Sequence, residues 1–259
     1  MRLFICCFFL LLVACNSSGD GKKNETDTAA GYKQEAVITG PAITVIPVKL
    51  EAGQVPATLK FKGKLNEAWQ WDDKLGKNIL ITSYVEAFGD NKKNEFGEEG
   101  QTAELHAFHF VKKDTGYMLR WKISDAMKSC PFDLTVAFMK GSATVTDLDS
   151  NGIAETTVQY RLACRSDVSP AYMKLIMHED TMKYLLRGAM WIKAAESDTF
   201  TVTENNVNLE KLPKKKDEYE QILQSFGRYE SEKEFARAPA VFLQHARKQW
   251  MKYVIESFE

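Results

Sequence analysis

Short segments of alternating apolar and polar residues follow one another from residue 57 to residue 188, and this pattern constrains the fold most. In the segment 57–65, Leu59 and Phe61 alternate with three lysines, which is the period of two of a half-buried β-strand. Similar segments predict strands at 78–85, 102–111, 117–123, 134–138, 143–146, 156–162, 173–177 and 182–188. No helical stretch separates them, so we expect antiparallel pairing rather than βαβ units.

Two stretches near these segments are predicted differently. Residues 43–50 are β-branched but contain Pro47, which restricts them to an edge or irregular strand. Residues 88–101 are acidic and rich in glycine and asparagine, a composition typical of a loop.

The C-terminal part changes to helical periodicity. Apolar residues recur at helical spacing in 214–226 and four apart in 240–258, where Pro239 suits a first-turn position. The predicted fold is therefore mainly β: a sandwich-like antiparallel body of hairpins at 36–208, with two amphipathic helices in 209–259 that pack on it. The alternative is that a helix lies on lipid or on a partner protein. The polar face of the second helix is mixed in sign, unlike the basic face that a membrane-surface helix prefers.

The N-terminus reads as a targeting segment. Met1 and Arg2 precede eleven apolar residues, 3–13, which are too few to span a bilayer as a helix. They end in the sequence Leu-Val-Ala-Cys, which resembles the lipobox of bacterial lipoproteins. The resemblance implies cleavage after residue 14, lipidation of Cys15 and a flexible polar tether over 15–35. The alternative is an ordinary signal peptide with a chance cysteine.

The resemblance to lipoproteins also bears on localisation. The residue after Cys15 is Asn16, whereas aspartate at this position implies inner-membrane retention in many Gram-negative bacteria. We therefore expect a lipid anchor in the outer membrane, on its periplasmic or its cell-surface face.

Two cysteines remain in the body, Cys130 and Cys164, because Cys6 and Cys7 leave with the signal. Oxidation is permitted in an exported protein, so the sequence predicts a disulfide between them. Neither cysteine belongs to a C-x-x-C pair, which makes a catalytic or metal-binding role the minority interpretation.

The segment D-L-D-S-N-G-I-A-E, residues 147–155, is the sharpest motif of the chain. Oxygen-bearing side chains recur at alternate positions, a glycine allows a sharp turn, and a backbone carbonyl supplies a further ligand, as a hard cation requires. The predicted Ca²⁺ ligands are Asp147, Asp149, Asn151, Ile153 through its carbonyl, and Glu155. The segment resembles the calcium loop between two strands of integrin-type propeller repeats, although one clear copy does not support a propeller. The alternative is a strand corner in which Asp and Asn cap their own backbone.

Other signals of chemistry are weak. The chain has no G-x-S-x-G, Walker, H-E-x-x-H or G-x-G-x-x-G motif, and its formal net charge of −1 excludes a general attraction to nucleic acid. His106 and His109 are three apart on a predicted strand, so they point to opposite faces and cannot share a metal.

A second resemblance covers about residues 65–190. It rests on W-x-W-D-D-K-x-G-x-N at 69–78, the segment 121–133, the 147–155 loop with Cys164, S-D-V-S-P at 166–170 and K-Y-L-L-R-G at 183–188. This ordered set resembles a family of Gram-negative surface lipoproteins labelled surface-polysaccharide biosynthesis proteins. The resemblance implies a role in lipopolysaccharide or capsule production and brings no catalytic residues.

Three functions are compatible with these features. The first is a non-catalytic binding or assembly lipoprotein of the cell envelope, with a polysaccharide or an envelope protein as its partner. The second is a glycan-processing enzyme, which needs two carboxylates about 5–10 Å apart; Asp125, Asp133 and Glu155 are the candidates. The third is a structural subunit of an outer-membrane complex that docks through the C-terminal helices.

Overall fold

Five consecutive strands form the first sheet, and each strand pairs antiparallel with the next. We describe a computed structural model that covers residues 44–93, 97, 99–193, 197 and 199–256. The strands are β1 (Val48–Leu50), β2 (Lys64–Asp73), β3 (Gly76–Lys93), β4 (Glu99–Lys113) and β5 (Gly116–Cys130). β1, which follows Pro47, lies at one edge as predicted, and β5 lies at the other edge.

The second sheet is also antiparallel, with the order β10-β9-β8-β6 and β7 paired to β8. Its strands are β6 (Asp133–Phe138), β7 (Thr144–Thr146), β8 (Glu155–Arg165), β9 (Tyr172–Glu179) and β10 (Met182–Ala189). The mainly β, antiparallel fold class predicted from the period-two pattern is confirmed.

The two sheets pack face to face over a shared apolar core. Trp71, Leu80 and Leu105 from the first sheet belong to the same buried cluster as Val158 and Tyr160 from the second. Alternation decides which residues enter this core, because successive side chains of a strand point to opposite faces. All described residues cluster into one compact unit.

A second apolar cluster covers the outer face of the first sheet. The segment that precedes β2 contributes Leu59 and Phe61, which pack with Phe108 and Phe110 of β4. The prediction of a strand at 57–65 is wrong, since β2 begins only at Lys64. The alternation correctly gives the buried Leu59, but a period of two reports burial and not whether the backbone pairs.

The loop predicted at 88–101 is largely strand. β3 continues to Lys93 and β4 begins at Glu99, with register shifts between Val85 and Phe88 and between Gly89 and Lys93. Such register shifts are irregularities of the β-bulge kind, and the pairing of the two strands continues beyond them to Lys93 and Glu99.

The two helices differ in how they pack. α1 (Glu218–Ser225) has no buried residue, whereas α2 (Ala240–Tyr253) buries Phe242, Ala246 and Trp250. α2 packs on the face of the second sheet that carries Met173, Leu175 and Met177. The expected packing of an apolar stripe therefore holds for α2, while α1 leaves Tyr219, Ile222 and Leu223 exposed.

The end of the chain also departs from the predicted helix at 240–258. α2 stops at Tyr253, and β12 (Ile255–Glu256) pairs in parallel with β11 (Trp191–Ile192). The Glu256 carboxylate accepts hydrogen bonds from the Arg165 guanidinium, at 2.7 and 3.1 Å, and from the Ala171 amide at 2.9 Å. Periodicity could not reveal these tertiary partners, which hold Ile255 and Glu256 in an extended conformation.

Candidate metal centre

The predicted calcium segment forms the tight connection between β7 and β8. Val145 pairs with Thr156 and Thr146 with Glu155, so the two strands fix both ends of the loop. Ser150 and Gly152 adopt positive φ angles of 59° and 80°, a conformation that glycine takes without steric cost. The D-x-D-x-N-G pattern therefore becomes a loop folded back on itself.

The three carboxylates of the segment gather at this loop. One carboxylate oxygen from each of Asp147, Asp149 and Glu155 lies within 4.8 Å of the others. Three converging carboxylates are hard oxygen ligands of the kind that a divalent cation binds. The geometry therefore brings together three of the five residues predicted as ligands in a group that could hold a metal ion.

Glu155 is the member of the group that is completely buried. Its Oε2 accepts hydrogen bonds from the Thr146 hydroxyl at 3.0 Å and from the Leu148 amide at 2.9 Å. Its Oε1 is buried and has no hydrogen-bond partner among the residues that the structure describes. Burial raises the pKa of Glu155 to about 7, since an unpaired carboxylate loses its hydration there. A cation beside Oε1 would give this oxygen a partner and would compensate the carboxylate for its lost hydration.

The other two predicted ligands lie in the same loop. Asn151 Oδ1 accepts a hydrogen bond from the Ile153 amide at 2.7 Å, and Asn151 Nδ2 donates to Asp149 Oδ2 at 3.1 Å. The Gly152 amide donates to both carboxylate oxygens of Asp147, at 3.2 and 3.3 Å. These bonds shape the loop, but they are also expected of a strand corner that caps its own backbone. They therefore do not distinguish such a corner from a calcium site. The buried, unpartnered Oε1 of Glu155 is the feature that favours the calcium site.

Glu179 is a fourth carboxylate at this end of the sheet, and the sequence reasoning did not place it here. It is the cross-strand partner of Glu155, and its Oε1 accepts a hydrogen bond from Asn151 Nδ2 at 2.5 Å. Burial raises its pKa too. Like charges directly opposite each other destabilise a sheet, and a cation at the loop would offset this repulsion.

The turn between β2 and β3 packs against the loop. Lys74 donates its backbone amide to the Gly152 carbonyl at 2.8 Å and its ammonium to the Asn151 carbonyl. Asp73 Oδ2 accepts from the Ala154 amide at 3.1 Å. This contact between the two turns is tertiary, and the sequence pattern did not predict it.

Cys130 and Cys164 lie at disulfide distance, with Sγ atoms 2.07 Å apart and Cα atoms 5.7 Å apart. Cys130 ends β5 of the first sheet and Cys164 lies in β8 of the second. The bond joins the two sheets at the end of β8 remote from Glu155. The predicted cysteine pairing is therefore confirmed.

The three carboxylates considered for glycan hydrolysis do not pair with one another. Glu155 begins β8, and Asp133 of β6 pairs with Arg165 at the other end of β8, ten residues away or about 33 Å at strand spacing. Asp125 lies between them, where its Oδ2 accepts from the Tyr160 hydroxyl at 2.9 Å and from Lys174 Nζ at 2.6 Å. This spacing exceeds what a pair of catalytic carboxylates requires.

His106 and His109 belong to different layers, as their spacing predicts. His106 contacts Ser124 and Glu104 at 2.9 and 3.0 Å. His109 stacks on Trp71 in the inter-sheet core, with ring centroids 5.2 Å apart, and burial lowers its pKa to about 4.

No family model, curated protein or solved structure matches the chain. Within residues 44–256, leaving aside the eight positions not described, no helix is both long enough and apolar enough to cross a membrane. The proposed signal peptide, Cys15 and the tether lie outside the described residues.

Proposed function

We propose that this protein is an exported lipoprotein, anchored to the outer membrane through Cys15, that acts as a non-catalytic binding or assembly factor of the cell envelope. The observation that carries the proposal is the Cys130–Cys164 pair. Disulfides persist in oxidising compartments and are rare in the cytosol. An oxidised pair in the body therefore supports the export that the lipobox implies, and the resemblance at 65–190 adds surface-polysaccharide production as the process served.

Metabolic labelling with palmitate, followed by purification, tests the anchor. We expect label in the wild-type chain and none in the Cys15→Ser variant. The Cys7→Ser variant is the matched control and should stay labelled, because Cys7 leaves with the signal. Label that persists in Cys15→Ser would contradict the anchor.

Thiol titration under denaturing conditions tests the oxidised pair. Protein purified from membranes without reductant should react at neither Cys130 nor Cys164, and at both after reduction. Two free thiols before reduction would remove the support that the pair gives to export.

We also propose that the 147–155 loop binds Ca²⁺. Three converging carboxylates and the unpartnered Oε1 of the fully buried Glu155 support the proposal. Ligands of this type in extracellular modules bind Ca²⁺ with dissociation constants of about 10⁻⁴–10⁻³ M. Asp147, Asp149, Asn151, Glu155 and the Ile153 carbonyl would hold the ion.

Thermal unfolding with and without calcium tests the loop. Binding to the folded state alone stabilises it by about 2.7 kcal/mol at a hundred times the dissociation constant, so calcium should raise the melting temperature. The rise should vanish in Asp147→Ala and persist in Asp114→Ala, whose aspartate lies in the β4–β5 turn. A melting temperature unchanged at about 100 mM calcium, a hundred times the weakest dissociation constant expected, would contradict the proposal.

One observation favours the alternative of a structural subunit of an outer-membrane complex. α1 exposes 68% of Tyr219, 50% of Ile222 and 43% of Leu223, and these residues lie at helical spacing. If they dock in a complex, Ile222→Asp should abolish co-migration with outer-membrane proteins after mild detergent extraction. Thr181→Asp, in the β9–β10 turn, is the control and should leave co-migration intact.

A further inference from the structure

A groove with a volume of about 350 Å³ lies where the edge strand β5 meets the β9–β10 hairpin. Its wall includes Lys122 and Asp125 of β5, and Tyr160 of β8 lines it as well. Its floor consists of alternate residues of β9 and β10: Lys174, Ile176, His178, Lys183, Leu185 and Arg187. The groove is separate from the 147–155 loop, whose residues do not line it.

The register of the hairpin arranges the floor in three cross-strand steps. Lys183 pairs with His178, Leu185 with Ile176, and Arg187 with Lys174. Basic side chains therefore occupy both ends and aliphatic side chains the middle. Lys183 and Arg187 are four residues apart on one strand, which places their Cα atoms about 13 Å apart.

The basic residues outnumber the acids that neutralise them. Lys174 pairs with Asp125 at 2.6 Å, and Arg187 pairs with Glu230 at 3.1 Å. Asp180, at the tip of the hairpin, forms an ion pair with Arg120. Among the described residues, no carboxylate lies within ion-pair distance of Lys183 or Lys122. Lys183 therefore lines the groove without a counter-charge, whereas the Lys122 ammonium lies over the Phe108 ring of the outer cluster, 5.5 Å from its centroid.

The arrangement also opposes sheet stability. Arg187 and Lys174 stand directly opposite each other, and like charges in that position are destabilising. His178 is only 5% exposed, and within the described part of the chain its Nδ1 has no hydrogen-bond partner. Asp125 and Glu230 offset part of this repulsion through their ion pairs with Lys174 and Arg187. A ligand that completes the groove would offset the rest and would supply a partner for the buried Nδ1 of His178.

The exposed chemistry of the groove is charge rather than aromatic surface. The Trp121 ring stacks on His178 with centroids 4.1 Å apart, and Trp121 and Tyr160 expose only 9% and 1%. Neither ring presents a free face on which a neutral sugar could stack. Selectivity for a ligand must therefore come from the basic side chains and from the Ile176–Leu185 pair between them.

We propose that this groove binds an extended ligand that carries carboxylate or phosphate groups about 13 Å apart, with an uncharged portion over Ile176 and Leu185. Lys183 binds one anionic group at the hairpin end, and Arg187 with Lys174 binds the other. The inference deepens the proposed binding function and rests on it, since it names the class of ligand.

Isothermal titration of the full-length chain in detergent and calcium-free buffer tests the groove. The probes are 3,6,9-trioxaundecanedioate for carboxylates and triethylene glycol bisphosphate for phosphates, each of which carries two anionic groups joined by an uncharged chain long enough to reach from Lys183 to Arg187. Galacturonate serves as a single anion and maltotetraose as a neutral chain of similar length. We expect one or both of the long anions to bind, and maltotetraose and the single anion to bind at least about tenfold more weakly. The stronger of the two long probes identifies the anionic group.

Matched charge reversals assign the binding to the groove. Lys183→Glu should raise the dissociation constant of the long anion by about tenfold or more. Lys248→Glu makes the same change in charge on α2, which packs on the other face of the second sheet, and should leave affinity within about twofold. Both lysines are exposed, so both variants should keep the wild-type melting temperature.

Three results would overturn the proposal: no binding of either long anion, equal binding of maltotetraose, or equal losses in Lys183→Glu and Lys248→Glu. Failure of the lipid anchor is seen separately, because it removes palmitate label and leaves the titration unchanged. Failure of the calcium site is likewise separate, since the titration contains no calcium.

Discussion

The carboxylate of Asp73 accepts a hydrogen bond from the backbone amide of Ala154 at 3.1 Å. This bond joins the β2–β3 turn of one sheet to the 147–155 loop of the other. Asp73 is buried and accepts three further bonds, from Trp71 Nε1 at 2.9 Å, the Leu75 amide at 2.7 Å and Asn78 Nδ2 at 2.8 Å. One side chain thus satisfies donors from two loops.

Asp73→Asn should destabilise the fold. An amide keeps one acceptor oxygen in place of two, so buried donors lose their partner at about 1–3 kcal/mol each. We expect a loss of about 2–4 kcal/mol in the free energy of unfolding, measured by urea denaturation. Asp72→Asn alters an exposed neighbour and should change stability by less than about 0.5 kcal/mol. Equal effects of the two substitutions would mean that Asp73 does not anchor the loop.

Lys74→Met should raise the affinity for calcium. The Lys74 ammonium bonds the Asn151 carbonyl, so its charge repels a cation at the same loop, while methionine keeps an unbranched apolar stem. A unit charge a few ångströms away at the protein surface changes affinity by about three- to tenfold, as calorimetric titration with calcium would measure. Lys77→Met removes the same charge from the start of β3 and should have a smaller effect. Weaker binding in Lys74→Met would show instead that the lysine positions the Asn151 carbonyl.

His178 should make stability depend on pH. Burial, reinforced by the positive charge of Lys183, lowers its pKa to about 3, against about 6.5 in the unfolded chain. The unfolded state therefore binds a proton below pH 6.5 that the folded state refuses. The contribution of neutral His178 is complete above pH 6.5 and is lost as the pH falls toward 3, by at most about 1.4 kcal/mol per pH unit.

His178→Phe keeps a ring that can stack on Trp121. It should reduce the slope of the unfolding free energy against pH, between pH 6.5 and 5, by the equivalent of up to one bound proton. Lys183→Gln should raise the pKa of His178 in an NMR titration, and Lys248→Gln should not. An unchanged slope in His178→Phe would mean that the imidazole is protonated in the fold.

The two C-terminal helices should respond differently to truncation of an apolar residue. Phe242 of α2 is fully buried against the second sheet. Phe242→Ala should therefore lower the free energy of unfolding by about 3–5 kcal/mol. Ile222 of α1 is half exposed, so Ile222→Ala should cost less than about 1 kcal/mol in chemical denaturation. A large loss in Ile222→Ala would indicate that another surface covers α1.

The sequence predicted most of the strands because alternation reports burial directly. Residues 102–111 illustrate this: Leu105 and Ala107 enter the inter-sheet core, while Phe108 and Phe110 enter the outer cluster. The segment 57–65 shows the limit, since Leu59 is buried although its backbone joins no strand. The long β3–β4 hairpin escaped prediction for the complementary reason, because the pairing of backbones can extend through residues of loop composition.

The 147–155 loop was also recognisable from sequence, since ligand spacing is local. What could not be read was the environment of Glu155: its complete burial, its unpartnered Oε1, and the approach of Glu179 from β9 and of Lys74 from the first sheet. The groove was invisible as well, because its wall and its floor lie about fifty residues apart in the chain.

By itself, then, the sequence determined the strand periodicity, the spacing of the acidic loop and the presence of two cysteines in the body, all of which are local properties of the chain. Tertiary structure alone decided that Cys130 and Cys164 join the two sheets, that α2 is buried while α1 is exposed, and that Asp125 and Lys183 line one groove. The physical reason is that burial, charge balance and hydrogen-bond satisfaction depend on which distant segments meet, and the packing of the two sheets sets those meetings.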